Sequence, residues 1–73
     1  MNNSKLVKKL LLELKPEEIS FIGQFRYDVI FKVYFEDTSP KKIAEEMNVP
    51  FEAVDEAIGY GYRFLKHIIW YNY

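Results

Sequence analysis

The 73-residue chain is expected to form one domain, since 49% of its residues are hydrophobic and 18% aromatic, well above the values of a disordered chain. It contains no cysteine, which excludes disulfides and thiolate metal sites and suits the reducing cytoplasm. A formal net charge of −1 disfavours a protein that binds mainly by neutralising phosphates, and no apolar stretch reaches the roughly 18 residues that a membrane-spanning helix requires.

The first predicted helix is basic and amphipathic. It begins at Ser4, a good N-cap residue, and ends near Lys15, with apolar residues at helical spacing on one side and lysines on the other. Residues 1–15 carry four lysines and one glutamate, a net charge of +3, whereas residues 16–37 have a net charge of −3. A basic amphipathic helix can bind a membrane surface or an acidic protein, but packing within its own domain is the favoured interpretation.

A second helix is predicted from Pro16 to about Asp37. Proline suits the first helical position, and the two glutamates that follow it suit the positive end of the helix dipole. The segment from Tyr27 to Phe35 is rich in residues that favour strands, so the pattern leaves helix and strand open there, with helix preferred.

The second half of the chain predicts two helices joined by a tight turn. The first runs from Pro40 to about Met47, and Asn48 can adopt the left-handed conformation that the turn requires. Pro50 then starts a helix that reaches Asn72, in which Gly59 predicts a bend or a break. The expected fold is therefore a small all-α domain of four helices, with a helix-turn-helix and a long C-terminal helix.

The helix-turn-helix assignment rests on six positions that two crossing helices must fill with apolar or small side chains. All six hold suitable residues, namely Ile43, Ala44, Met47, Val49, Val54 and Ala57. The pattern reports packing rather than contact with nucleic acid, so a helix-turn-helix that binds no DNA stays open as an alternative.

The segment VIFKVYFEDTSPKKIAEEMNVPFEAVDEAIGYGYRFLKHI, residues 29–68, resembles region four of bacterial sigma factors and, more loosely, other transcription regulators of that shape. The resemblance implies a helical domain in transcription initiation, in which the recognition helix contacts promoter DNA and other surfaces contact RNA polymerase. The family's recognition helix is typically rich in Arg and Lys at its outward positions. Here those positions hold no base; they are Phe51, Glu52, Asp55, Glu56 and Gly59.

Helical spacing predicts two apolar lines along the last helix, about a quarter turn or more apart. The core line contains Val54, Ile58, Gly61, Tyr62, Leu65, Ile68 and Asn72, where Gly61 predicts a close approach of another helix. The second line contains Ala53, Ala57, Tyr60, Phe64, His67 and Tyr71. Either the basic first helix covers the second line, or this aromatic surface binds another copy or a partner.

The leading hypothesis is a transcription-associated adaptor that binds a protein, RNA polymerase or a regulator. Its predicted partner-binding residues are Phe51, Glu52, Asp55, Glu56, Tyr60, Phe64, Trp70 and Tyr71. The alternative is a dimeric DNA-binding regulator whose phosphate contacts are Lys41, Lys42, Arg63 and Lys66. A further alternative is a small helical inhibitor or interaction protein that shares the fold for stability alone.

The sequence gives little support for RNA recognition or catalysis. GYGYRF, residues 59–64, is similar to an RNA-recognition strand motif, but only nine residues follow it, too few to complete that fold. His67 is the only histidine and falls among aromatic positions, where packing is more common than base catalysis. No catalytic group, cofactor, metal site or membrane contact is therefore predicted.

Overall fold

The computed structural model describes the backbone of residues 3–72 and the side chains of residues 5–68. All the regular structure in that part of the chain is helical, which confirms the all-α class. The helices are α1 (Asn3–Glu13), α2 (Pro16–Ile22), α3 (Gln24–Phe35), α4 (Pro40–Met47) and α5 (Phe51–Asn72).

Helices α2 and α3 replace the single helix predicted from Pro16 to about Asp37, which gives five described helices instead of four. The break lies at Gly23, whose φ of +99° is open to glycine but strained for other residues. Its amide still donates to the Ile19 carbonyl (2.9 Å), and its carbonyl accepts from the Tyr27 amide (2.9 Å), so both helix ends keep hydrogen-bond partners. The apolar spacing continues across the break, which is why periodicity alone did not locate it.

The segment from Tyr27 to Phe35, which could be read as a strand, is helical within α3. Val29 and Ile30 are fully buried, and they point into two different parts of the core. Strand preference mainly reflects how branched and aromatic side chains pack when half buried, and α3 satisfies that packing from a helix.

The helix-turn-helix forms as predicted. Ser39 caps α4 by accepting the Lys42 amide at 3.3 Å, and Asn48 closes the turn in the left-handed conformation, with φ 55° and ψ 49°. The Val49 amide then donates to the Ala44 carbonyl at 3.1 Å. A buried cluster joins these helices to α3, while Met47 and Val49 pack against it half buried; its members are Val29, Ile43, Ala44, Val54 and Ala57.

A second buried cluster places α1 against its own domain. Its members are Val7, Leu10, Leu11, Ile30 and Leu65, so α1 packs on α3 beside the C-terminal half of α5. The Tyr27 hydroxyl also donates to the carbonyl of Leu11 at 3.0 Å. The interpretation that the basic helix packs within its own domain is confirmed.

Helix α5 runs without a break through Gly59, so the predicted break there is wrong. A Cβ at Gly59 would have no atom within 4 Å, whereas one at Gly61 would lie 2.5 Å from Cδ1 of Ile30. Gly61 therefore permits the predicted close approach of α3. Tyr62, which helical spacing puts on the core line, is 42% exposed, because Gly61 and Leu65 occupy the interior side of that turn.

The contrast between the two glycines predicts opposite effects of alanine. Gly61→Ala should lower the free energy of unfolding by about 1 to 3 kcal/mol, since the new Cβ would lie 2.6 Å or less from two side-chain atoms of the fully buried Ile30. Gly59→Ala should raise it by up to about 1 kcal/mol, because alanine favours the helix and meets no neighbour. Urea unfolding of both variants measures this, and equal effects would contradict the assigned packing.

Candidate partner-binding surface

The first two turns of α5 present the acidic face, which we define as Phe51, Glu52, Asp55 and Glu56. All four side chains are exposed, as predicted for outward positions of the recognition helix, and Phe51 is 48% exposed despite its apolar ring. Among the described side chains, no ion pair reaches Glu52 or Asp55. The face therefore keeps two uncompensated carboxylates beside an exposed aromatic ring.

Arg26 contacts one member of the acidic face, Glu56. Its Nη2 atom lies 3.0 Å from Oε1 of Glu56, its Nη1 donates to the Ile22 carbonyl at 3.3 Å, and its guanidinium carbon lies 4.1 Å from the centre of the Tyr60 ring. The guanidinium thus links α2 and α3 to α5. It also uses Glu56 and Tyr60 for the protein's own packing, leaving them less available to a partner.

Arg26 is not among the residues predicted to be functional. The signal for it was its position in the second predicted helix, where it falls among the apolar residues Ile22, Phe25 and Val29. A cation at such a position needs a partner close to the core, and the outward carboxylate of Glu56 supplies one.

The second line of α5 is partly covered, mainly by α3: Ala57 is buried in the cluster that contains Val29, and Tyr60 lies against Arg26. Phe64 is half buried, and its ring centre lies 5.7 Å from that of Phe21, which is itself 73% exposed. Phe64 also packs against the cluster that contains the α1 residues. Phe21 was not predicted, because it falls outside the apolar periodicity of its segment. It is the most exposed large apolar side chain next to the predicted aromatic surface.

Two predicted anchors, Trp70 and Tyr71, lie outside the residues whose side chains the structure describes. His67, about one turn before Tyr71 in α5, is exposed. Of the predicted aromatic anchors within the described region, Tyr60 and Phe64 are half buried by contacts inside the domain.

The four basic residues assigned to phosphates in the DNA-binding alternative are all exposed. Lys41 and Lys42 lie in the first turn of α4, while Arg63 and Lys66 lie in the second half of α5. Arg63 is seven residues beyond Glu56, about 10 Å along the helix axis. The bases therefore flank the acidic face without neutralising it.

One cleft of about 530 Å³ lies between α1 and the end of α3. Its lining includes Lys8, Val33, Tyr34, Phe35 and Asp37. Burial, and to a lesser extent the neighbouring Tyr62, raises the pKa of Tyr34. The described residues contain no group of side chains suited to a metal ion and no helix that is long and apolar enough to cross a membrane.

Comparison with protein-family models, with curated proteins and with solved structures finds no match to this chain. The resemblance to region four of sigma factors therefore rests on the residues quoted above, and it stays a prediction.

The contacts of Arg26 predict that lysine cannot replace it. Arg26→Lys keeps the charge but not the planar fork that reaches Glu56, Tyr60 and a carbonyl together, so the free energy of unfolding should fall by about 1 kcal/mol. Arg63→Lys makes the same chemical change at an exposed position and should alter it by less than about 0.5 kcal/mol. Chemical denaturation measures the free energy of unfolding of both variants. Equal changes would mean that Arg26 does not link α2 and α3 to α5.

Proposed function

We propose that this protein is a helix-turn-helix adaptor that binds another protein through the acidic face of its recognition helix. The observation that carries the proposal is the pair of uncompensated carboxylates, Glu52 and Asp55, next to the exposed ring of Phe51. An aromatic ring beside charges is a common composition of protein interfaces, where aromatic residues act as anchors and charges set orientation.

Electrostatics supports a protein partner over duplex DNA. Carboxylates can accept a hydrogen bond from cytosine, and a good base contact contributes about 1 to 3 kcal/mol of discrimination. Phosphate contacts, however, provide nearly all non-specific affinity for DNA, and the acidic face would repel phosphates at the place where the helix enters the groove. A protein surface with lysine or arginine would instead be attracted to the same face.

The link to transcription comes from the resemblance of residues 29–68 to region four of sigma factors. Proteins of that family contact RNA polymerase as well as promoter DNA, so RNA polymerase or one of its regulators is the partner that we propose. The aromatic surface formed by Phe64 and Phe21, with Trp70 and Tyr71 as the further predicted anchors, would extend the contact along α5.

A second candidate, a dimeric DNA-binding regulator, is favoured by one observation: Lys41, Lys42, Arg63 and Lys66 are all exposed. Two subunits would double that charge. This alternative requires an affinity that falls steeply with salt and weakens for all sequences in Lys41→Ala/Lys42→Ala. An affinity that the double substitution leaves unchanged counts against it.

The proposed function predicts how removal of the free carboxylates affects binding. Glu52→Gln/Asp55→Asn should weaken the binding of purified bacterial RNA polymerase about ten-fold, since the variant keeps the shape of the face and loses its charge. The matched control is Glu17→Gln/Asp37→Asn, which removes two exposed carboxylates elsewhere and should bind as the original chain does. Surface plasmon resonance measures both affinities.

Capture from a bacterial lysate on the immobilised chain provides the wider test. Recovery of RNA polymerase or a polymerase regulator that the double variant fails to capture supports the proposal. Recovery of no transcription protein, together with tight and salt-sensitive binding to duplex DNA, rejects it in favour of the second candidate. Capture of proteins unrelated to transcription, with no polymerase binding, favours the inhibitor or interaction protein.

A further inference from the structure

The outer side of α1 exposes a large apolar residue on the same side of the helix as two lysines. We define the basic face as Lys5, Lys9 and Leu12, which are spaced four and three residues apart and so share one side of the helix. Leu12 is 68% exposed, although its neighbours Leu10 and Leu11 are buried and already anchor α1. The packing of α1 inside the domain gives no reason for a leucine there.

The basic face and the acidic face are complementary in composition. Each contains one large exposed apolar side chain, Leu12 or Phe51. The exposed Glu13 follows Leu12, but with Lys5 and Lys9 the side of α1 stays net positive, whereas the charged residues of the acidic face are all negative. The charges are opposite: Lys5 and Lys9 on α1, and Glu52 and Asp55 on α5. Docking one face on the other would remove both apolar groups from water and bring the charges together.

These two faces are held apart within one molecule. Val7, Leu10 and Leu11 fix α1 in the cluster that contains Leu65, and Leu65 is ten residues, about 15 Å along α5, from Asp55. The contacts of α4 lie at the acidic end of α5 instead. The complementary faces can therefore meet only between two molecules.

We propose that the basic face of one copy docks on the acidic face of a second copy. The two surfaces are unlike, so the contact is heterologous, and each molecule keeps one face of each kind for the next neighbour. Because the second copy occupies the acidic face, self-association competes with any protein partner at that face. The contact itself requires only the purified chain and holds whatever that partner is.

A charge-swap experiment on the full chain tests this contact. Sedimentation velocity of the purified protein at about 0.1 M salt should show reversible self-association, which should weaken about ten-fold or more at about 1 M salt, as the Debye length falls from roughly 10 Å to roughly 3 Å. Lys5→Glu/Lys9→Glu makes both faces acidic, and Glu52→Lys/Asp55→Lys makes both basic. Each variant alone should be monomeric, and an equimolar mixture of the two should associate again.

Two further variants separate this contact from general effects of charge and folding. Lys41→Glu/Lys42→Glu changes the net charge as much as the α1 variant does and should leave self-association intact. Leu12→Ser changes no charge and should weaken association about ten-fold, while its exposure means that the fold is kept. Far-ultraviolet circular dichroism confirms that each variant is helical before it is compared.

Three results would overturn the proposal: an original chain that stays monomeric at low salt, association that survives both charge variants and Leu12→Ser, or a mixture of folded variants that fails to associate. Failure of the proposed function gives a different result. In that case the purified chain still self-associates as described, while RNA polymerase does not bind and is not captured.

Discussion

The close crossing of α3 over α5 at Gly61 is the contact on which the other packing depends. Ile30 lies against the bare backbone of Gly61, and it belongs to the cluster that holds α1. Its neighbour Val29 belongs to the cluster that holds α4. Helix α3 therefore carries both halves of the core, and α5 runs through both with Val54 at one end and Leu65 at the other. A larger residue at Gly61 would push apart the two helices that every other helix uses as support.

This arrangement divides the six predicted partner-binding residues whose side chains are described into two groups. Glu56 and Tyr60 contact Arg26, and Phe64 contacts Phe21, so these residues stabilise the positions of α3 and α2 against α5. Phe51, Glu52 and Asp55 remain exposed at the start of α5. A small domain buries a modest share of its surface and must use polar and aromatic contacts at its edges for stability. The residues left outside those contacts are the ones that can serve a partner without loss of stability.

Local signals allowed the sequence to predict most of the fold. Ser39 with Pro40 located the start of α4, Asn48 located the turn, and apolar spacing identified the buried positions of the helix-turn-helix. The break at Gly23 was missed because the apolar spacing crosses it unchanged and glycine alone does not reveal a positive φ. Arg26 and Phe21 were missed for a different reason: their roles depend on contacts between residues about 30 to 43 positions apart, which periodicity does not report.

Because the acidic face lies at the start of α5, its negative charge also affects the stability of that helix. Glu52 lies in the first turn, where the helix dipole favours a negative side chain by about 0.3 to 1 kcal/mol. A basic residue in the first turn, where it could contact DNA, would instead destabilise the helix. The bases of α5 instead occur from Arg63 onward, beyond the turn that crosses Ile30. Acidic side chains at the start of α5 therefore suit both the stability of the helix and a partner of opposite charge. Replacing them with neutral residues, as DNA binding would favour, would destabilise α5.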